Sequence, residues 1–565
     1  MSNNPAAQFL SDNFTFLLSV FDTRRGDQEG DEYEKVLSFY PTTAALTIRT
    51  SIVGLAQAIS TFPSNFAEDD GGHKIMEGEF NRWVMLPCEP GVWMLMVVNK
   101  AWVGRCCANV ALHAFLTRMH TLFMLLHGGV NKLLEQDPSA HSLRRVLQPF
   151  LEEMGSQLNA PDPRQPAALS NPLGQHQGLP LLSTSHRAFL SSQCLVNQLL
   201  ITPRFGSRLV SGVMLTWHSH LLWSSLQAAD TGPLFQLSQR IAKSKVGPAG
   251  VRVAAGAHTE RPFKAGGTAP LPGGTPPTLL SPQQWQAGPA HRSPTSAPGT
   301  TASSGGLNSY TSSRSRVGNF MVPVLSTRAP TTEEPRAVAA AGGSHPPQGA
   351  VIPAAHIWLQ ASEEWAVLLP YQSGPLQVMM VLQHSTVISE DVLAILGEVL
   401  SRWCGPLSTL LNTELPGHNL WHEPGFRYSY SDSVCDVSRA SPAKKITTLS
   451  PQSQRVVAEV RNSAEVWARQ AGCGKDASGA PGRPSPSPLH PAPGSSTARS
   501  SQDQDASRGD MELVVRSRHD CWVVARQSSS CRLYVALEQP PEQQLLQVTQ
   551  KVDSLCATTF AGTFT

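Results

Sequence analysis

The chain has 565 residues, enough for three to four domains at roughly 150 residues each. Charged residues are 15% and hydrophobic residues 41%, with 45 Pro and 43 Gly, and dense apolar stretches alternate with stretches made almost wholly of Pro, Gly, Ser, Thr and Ala. That alternation describes folded modules separated by long linkers, and a formal net charge of +2 argues against the strong basic field of a nucleic-acid-binding protein.

Locally the charge is uneven. Residues 1–98 hold 13 acidic and six basic residues, whereas residues 236–328 hold ten basic residues and one acid, Glu260. The ten cysteines include no CxxC pair, and Cys106 and Cys107 are adjacent, a pattern expected of reduced, cytosolic thiols. Met1 to Asn13 is polar and lacks the basic-then-apolar order of a secretory segment, so the acceptor pattern Asn13-Phe14-Thr15 is not expected to be glycosylated. The most apolar stretch, Phe115 to Leu126, is interrupted by Arg118 and His120 and is too short to span a membrane.

In chain order, Phe14 to Phe21 and Lys35 to Tyr40 are rich in strand formers, and Pro41 closes the second run. Ile48, Ile52, Leu55, Ile59 and Phe62 then fall at helical spacing. Strands are predicted at Arg82 to Leu86 and Val92 to Val98, the latter apolar on both faces and so suited to the centre of a sheet. Helices follow through Cys107–Leu126 and around Leu143–Leu158. The same order returns from Val213, with a hairpin tipped by His218-Ser219-His220, a helix from Pro233 to about Lys243, a linker from about Gly247 to Arg316, an apolar island at Val317–Leu325, strands at Ile357–Leu359, Glu364–Leu369 and Leu376–Leu382, and a helix through Val392 and Leu407. A third pass starts at Phe426 and includes a helix through Val456 and Trp467, a linker from Gly472 to Arg508, strands at Met511–Arg516, Cys521–Arg526 and Arg532–Leu537, and a last helix through Leu545 and Phe560. One α/β plan thus runs three times. Long insertions inside a repeat are tolerated because loop-closure entropy grows only logarithmically.

Catalytic patterns are scarce. The sequence has no GxxxxGK[ST] loop, no HExxH and no GxSxG. His218 and His220 sit at a turn without a third ligand nearby in sequence, Cys106-Cys107 reads as small residues at a helix start, and Glu68-Asp69-Asp70 as an exposed loop. No catalytic, metal or cofactor site is expected. The basic linker residues, Arg240 through Arg328, would draw the chain to an anionic membrane surface at about 1 kcal/mol for each residue that reaches it. Phosphorylation at Thr275-Pro276, Ser281-Pro282 or Ser293-Pro294 would oppose that attraction.

Several segments carry a resemblance. Lys35–Pro41, Ile48-Arg49 with Val53–Leu55 and Ala58-Ile59, Val92–Val98, Gly318–Met321 with Pro323–Leu325, Phe426–Tyr430, Asp520–Val524, Leu533–Val535 and Leu555–Phe560 stand in the order found in the Ccz family of vacuolar fusion proteins. The chain resembles that family over about a third of its residues; the linkers match nothing. The resemblance implies an α/β (α+β type) protein of three longin domains, each a five-stranded antiparallel sheet between helices, at 8–160, 206–415 and 424–565. The segment 161–205 would be linker and the start of the second domain, with insertions at about 247–316, 328–350 and 472–508. It further implies a heterodimer with a Mon-family longin protein that activates a late-endosomal or vacuolar Rab GTPase by guanine-nucleotide exchange. No active site of its own is implied, and recruitment to late endosome, vacuole or lysosome would be peripheral. A longin-type adaptor or tether without exchange activity, or a lysosome-related-organelle exchange factor subunit, would be built on the same three domains. The expected partner or GTPase contacts are Arg49, Val53, Gln57 and Ser60 on the outer face of the first helix.

Overall fold

A computed structural model describes residues 14–61, 74–103, 107–159, 169, 171–174, 178–204, 207–243, 314–317, 319–323, 355–415, 421–446, 448–473, 511–518, 521–528, 530–538 and 544–560. Glu68–Asp70, Cys106, the Ser-Pro and Thr-Pro pairs and most of the linkers lie outside the described residues.

The first sheet is built from β1 (Phe16–Asp22), β2 (Val36–Tyr40), β3 (Lys74–Glu77), β4 (Asn81–Glu89) and β5 (Val92–Asn99), in the spatial order β2-β1-β5-β4-β3, all antiparallel. β5 is central as its composition predicts. Val92, Met94, Met96 and Val98 feed the core on one face of the sheet, and Leu95 and Val97 feed the other, as the two-residue period of a strand requires. Leu18, Met96 and Val84 stand side by side across three strands and are all buried. Helix α1 (Leu46–Thr61) covers the Leu95 face, with Ile52, Val53 and Ala56 in that core. Helices α2 (Asn109–His127), α3 (Val130–Gln136) and α4 (His141–Asn159) follow β5, and α2 and α4 contribute to the Met96 core. The Glu89 carboxylate accepts the Val130 and Asn131 amides at 2.7 and 2.8 Å at the start of α3. Burial pushes its carboxyl up, but His120 and these amides outweigh that and hold it below its ordinary value.

The second sheet repeats the plan with β7 (Val210–Trp217), β8 (His220–Ser224), β11 (Ala355–Leu359), β12 (Glu364–Ser373) and β13 (Leu376–Gln383), and the path β8-β7-β13-β12-β11 is the same second-first-fifth-fourth-third order. The apolar island resolves into a hairpin, β9 (Arg314–Val317) and β10 (Phe320–Pro323), that joins the outer side of β12 where Phe320 faces Tyr371. α5 (His186–Ile201) and α7 (Glu390–Glu414) pack together on one face, and α6 (Ala228–Lys243) supplies the other. The third sheet uses β14 (Arg427–Asp432), β15 (Val437–Ala440), β16 (Met511–Arg516), β17 (Cys521–Ser528) and β18 (Cys531–Glu538), again in that order, with α8 (Pro451–Cys473) on one face and α9 (Leu545–Thr559) on the other. A sixth strand, β6 (Leu179–Pro180), pairs in parallel with β15 although it comes from the stretch between the first and second sheets.

The three modules are interlocked. The core on the Met96 face of the first sheet is continuous with Met214, Leu234, Met379 and Val381 of the second, and α2 packs against both α6 and β11. Asp230 of α6 accepts the Gln360 amide at 2.6 Å, and Lys132 of α3 pairs with Glu363 at 3.0 Å while lying 4.3 Å from the Trp358 ring centroid. Asn462 of α8 caps the start of α2, its carboxamide oxygen taking the Asn109 amide at 2.8 Å. Arg461, only 2% exposed, donates to the Pro172 and Gly174 carbonyls and sits over the Tyr534 ring.

Candidate partner interface

Helix α1 places the four candidate contact residues, and they do not form one outward face. Val53 is 1% exposed and packs with Leu17, Phe39 and Leu95; Ser60 is equally buried, its hydroxyl donating to the Gln57 carbonyl at 2.8 Å. Arg49 is half-buried. Its guanidinium donates to the Ala44 and Thr42 carbonyls and lies 5.8 Å from the Phe39 ring centroid, so it closes the turn that leads from β2 into the helix. Gln57, also half-buried, accepts from the Lys35 ammonium at 3.2 Å. The expected outer face is therefore corrected. The solvent-facing stripe is Leu46, Thr47, Ser51, Gly54, Leu55 and Ala58, with Leu46 and Leu55 about half exposed.

Two features set this stripe apart. It carries no charged residue, and Arg49, the single charge on α1, is tied back to the backbone. A helix face that meets only water is usually lined with charges, and depletion of charge with retained apolar side chains marks the core of a protein contact. The C-terminal end of α1 also lies beside the last described strand of the sheet. The Lys74 ammonium of β3 donates to the Ser60 carbonyl near the C-terminus of α1, and β3 ends the first sheet. A composition count over α1, one charge in 16 residues, is the sequence signal that would have found the stripe.

The other candidates from the sequence have structural roles. His218 and Ser219 occupy positive φ, 45° and 71°, in the two-residue turn of the β7–β8 hairpin. The His220 imidazole contacts the His218 carbonyl at 3.0 Å and stands edge-on to Trp421 at 4.4 Å, and burial lowers its pKa. Cys107 is buried. Arg240 belongs to α6, where it reaches Glu153 and Gln157 of α4. Trp522 is buried in its module's core, and Trp93 packs half-buried beneath Lys74. Among the described residues no group of three or more His, Cys, Asp or Glu could hold a metal ion, and no helix is long and apolar enough to cross a membrane.

Residues 16–128, the sheet with α1 and α2, match the family described as the first longin domain of INTU, CCZ1 and HPS4. The likeness extends far beyond that domain. The vacuolar fusion protein CCZ1 homolog of Oryza sativa subsp. japonica is 26% identical over 94% of both chains, and CCZ1 homolog B of Arabidopsis thaliana is 24% identical over 97% of both. The chain is similar to the CCZ1 vacuolar fusion proteins along nearly its whole length, and its first module to the longin domain of that family. A Nematostella vectensis CCZ1 homolog is 22% identical over 38% of this chain and 48% of its own length. The likeness to the plant proteins spans the segments that form all three sheets.

Proposed function

We propose that the chain acts in fusion with the vacuole or lysosome as one subunit of a heterodimeric guanine-nucleotide exchange factor. It pairs with a Mon-family longin protein through its first module and activates a late-endosomal or vacuolar Rab GTPase. The observation that carries this reading is the uncharged, partly apolar outer stripe of α1, on the module that matches the first longin domain of the family. In this reading the partner and the GTPase share that surface, and the chain makes and breaks no bond. It acts by preferring the nucleotide-free GTPase; by linkage it then weakens the GTPase's hold on nucleotide by the same factor.

The test is release of a fluorescent GDP analogue from the late-endosomal Rab, with no addition, with this chain, with the Mon partner, and with both. Acceleration with both proteins together is expected. No acceleration by an intact heterodimer would overturn exchange on that Rab and leave the chain as an adaptor or tether. A heterodimer that still assembles with Leu55→Glu would move the contact away from α1.

A further inference from the structure

β2 forms the edge of the first sheet opposite β3. A groove of about 480 Å³ runs along it, between the start of α1 and the flank of α4. Arg144, Arg145 and His141 of α4 form one wall, Leu46 and Arg49 of α1 the other, and no acidic residue lines it.

The strand edge is closed by side chains where a sixth strand would lie. Arg144 donates to the Glu34 and Val36 carbonyls at 3.3 and 3.5 Å, long bonds to neutral acceptors. Gln148 takes the Phe39 amide at 3.3 Å and returns a bond to its carbonyl at 3.0 Å, while the Ser38 hydroxyl donates to the same carboxamide at 2.8 Å. The nearby Glu34 carboxylate pairs with Arg25 at 3.6 Å, and the two charges act on Arg144 in opposite senses. Arg145 is exposed and has no ion-pair partner among the described residues. The groove's lining thus carries Arg49, Arg144 and Arg145 and no carboxylate, beside an apolar rim at Leu46 and Tyr33, which are 56% and 45% exposed.

We propose that this groove docks an extended acidic segment of a partner protein, whose carboxylates pair with Arg144 and Arg145 while an apolar side chain covers Leu46 and Tyr33. Trading long bonds to carbonyls for charge-assisted bonds to carboxylates favours the exchange at Arg144. A polyphosphorylated lipid headgroup fits less well. It calls for cations converging on one point, whereas Arg49 on the far wall is already held by the Thr42 and Ala44 carbonyls. A strand edge with adaptable amide partners matches a peptide backbone instead. The site meets the α1 stripe at Leu46 but is centred on β2 and α4, and it does not depend on the exchange reading.

The probe is a short fluorescein-labelled peptide alternating Glu and Leu, titrated against the full-length chain by anisotropy. Controls are the same peptide with Gln in place of every Glu, and vesicles containing a phosphoinositide. Saturable binding that weakens with salt is expected, with Arg145→Glu and Arg144→Gln each weakening it about tenfold. Arg187→Glu, on exposed α5, leaves it unchanged, and melting curves identify any variant that fails to fold. No saturable binding, equal binding of the Gln peptide, indifference to Arg145→Glu, or binding to the vesicles alone would each overturn the proposal.

Discussion

Val53 and Leu55 are two positions apart on α1 and have opposite surroundings. Val53→Ala removes buried methyl groups and is expected to cost about 2 kcal/mol in denaturant unfolding. Leu55→Ala, on the exposed stripe, should change stability by no more than about 0.5 kcal/mol while weakening association with the proposed longin partner. Read from the sequence, Leu55 joins Ile48, Ile52 and Ile59 on one apolar face and Val53 lies on the outer one, whereas the helix buries Val53 and Ala56 and exposes Leu55. A shift of two positions turns a side chain through about 200°, which is why a series begun at Arg49 ran into the core. Arg49 looked like a surface residue because the carbonyls that hold it, at Thr42 and Ala44, come from a turn whose shape the sequence does not announce. His127, buried against Phe123, is another residue whose role needed the fold. Burial lowers its pKa to about 4. The unfolded chain therefore takes up this proton first, and stability falls as pH drops from about 6.5 toward 4, then levels off. His127→Leu should flatten that part of a stability–pH profile measured by urea unfolding; an unchanged slope would assign it to other groups.

At the level of elements, most strands and helices were legible because their periods are clean. The two-faced apolar runs of β1 and β5 and the helical spacing in α2 and α9 each follow from which faces must be dry. β6 and α5 were not. β6 is two residues long, too short for any period, and its pairing with β15 is a property of the whole fold. The ties between elements were equally hidden. Arg461 lies on a helix otherwise predicted from its apolar spacing, yet it is buried and bonded to Pro172 and Gly174, far away in sequence. Arg461→Met leaves those carbonyls without their donor and is expected to lower stability by about 2–4 kcal/mol in urea unfolding. A loss below about 1 kcal/mol would mean that the third module holds the 171–174 segment by other means.

Across the whole molecule, the threefold plan was visible in element order, but its consequence for modularity was not. The first and second modules share one core, in which α2 packs against α6 and β11. A fragment of residues 1–160 would therefore present the outer side of α2 to water. We expect it to aggregate or bind a hydrophobic dye where the full chain does not, whereas a monomeric, dye-silent fragment would show that the shared core is dispensable. The proposed partner surface on α1 lies on the other face of the same sheet, so the first module is clamped from behind while its front stays open.

The parallel pairing of β6 with β15 also sets a schedule. Leu179 leaves the ribosome roughly 260 residues ahead of Val437, its partner in the finished sheet; at about 5–20 residues per second this is a wait of roughly 15–50 s. Through that interval the nascent chain carries a strand without its mate, and the third module cannot close until translation is nearly done. A truncated message would release chains whose first sheet is complete and whose linking strand still lacks β15, a species suited to capture by chaperones.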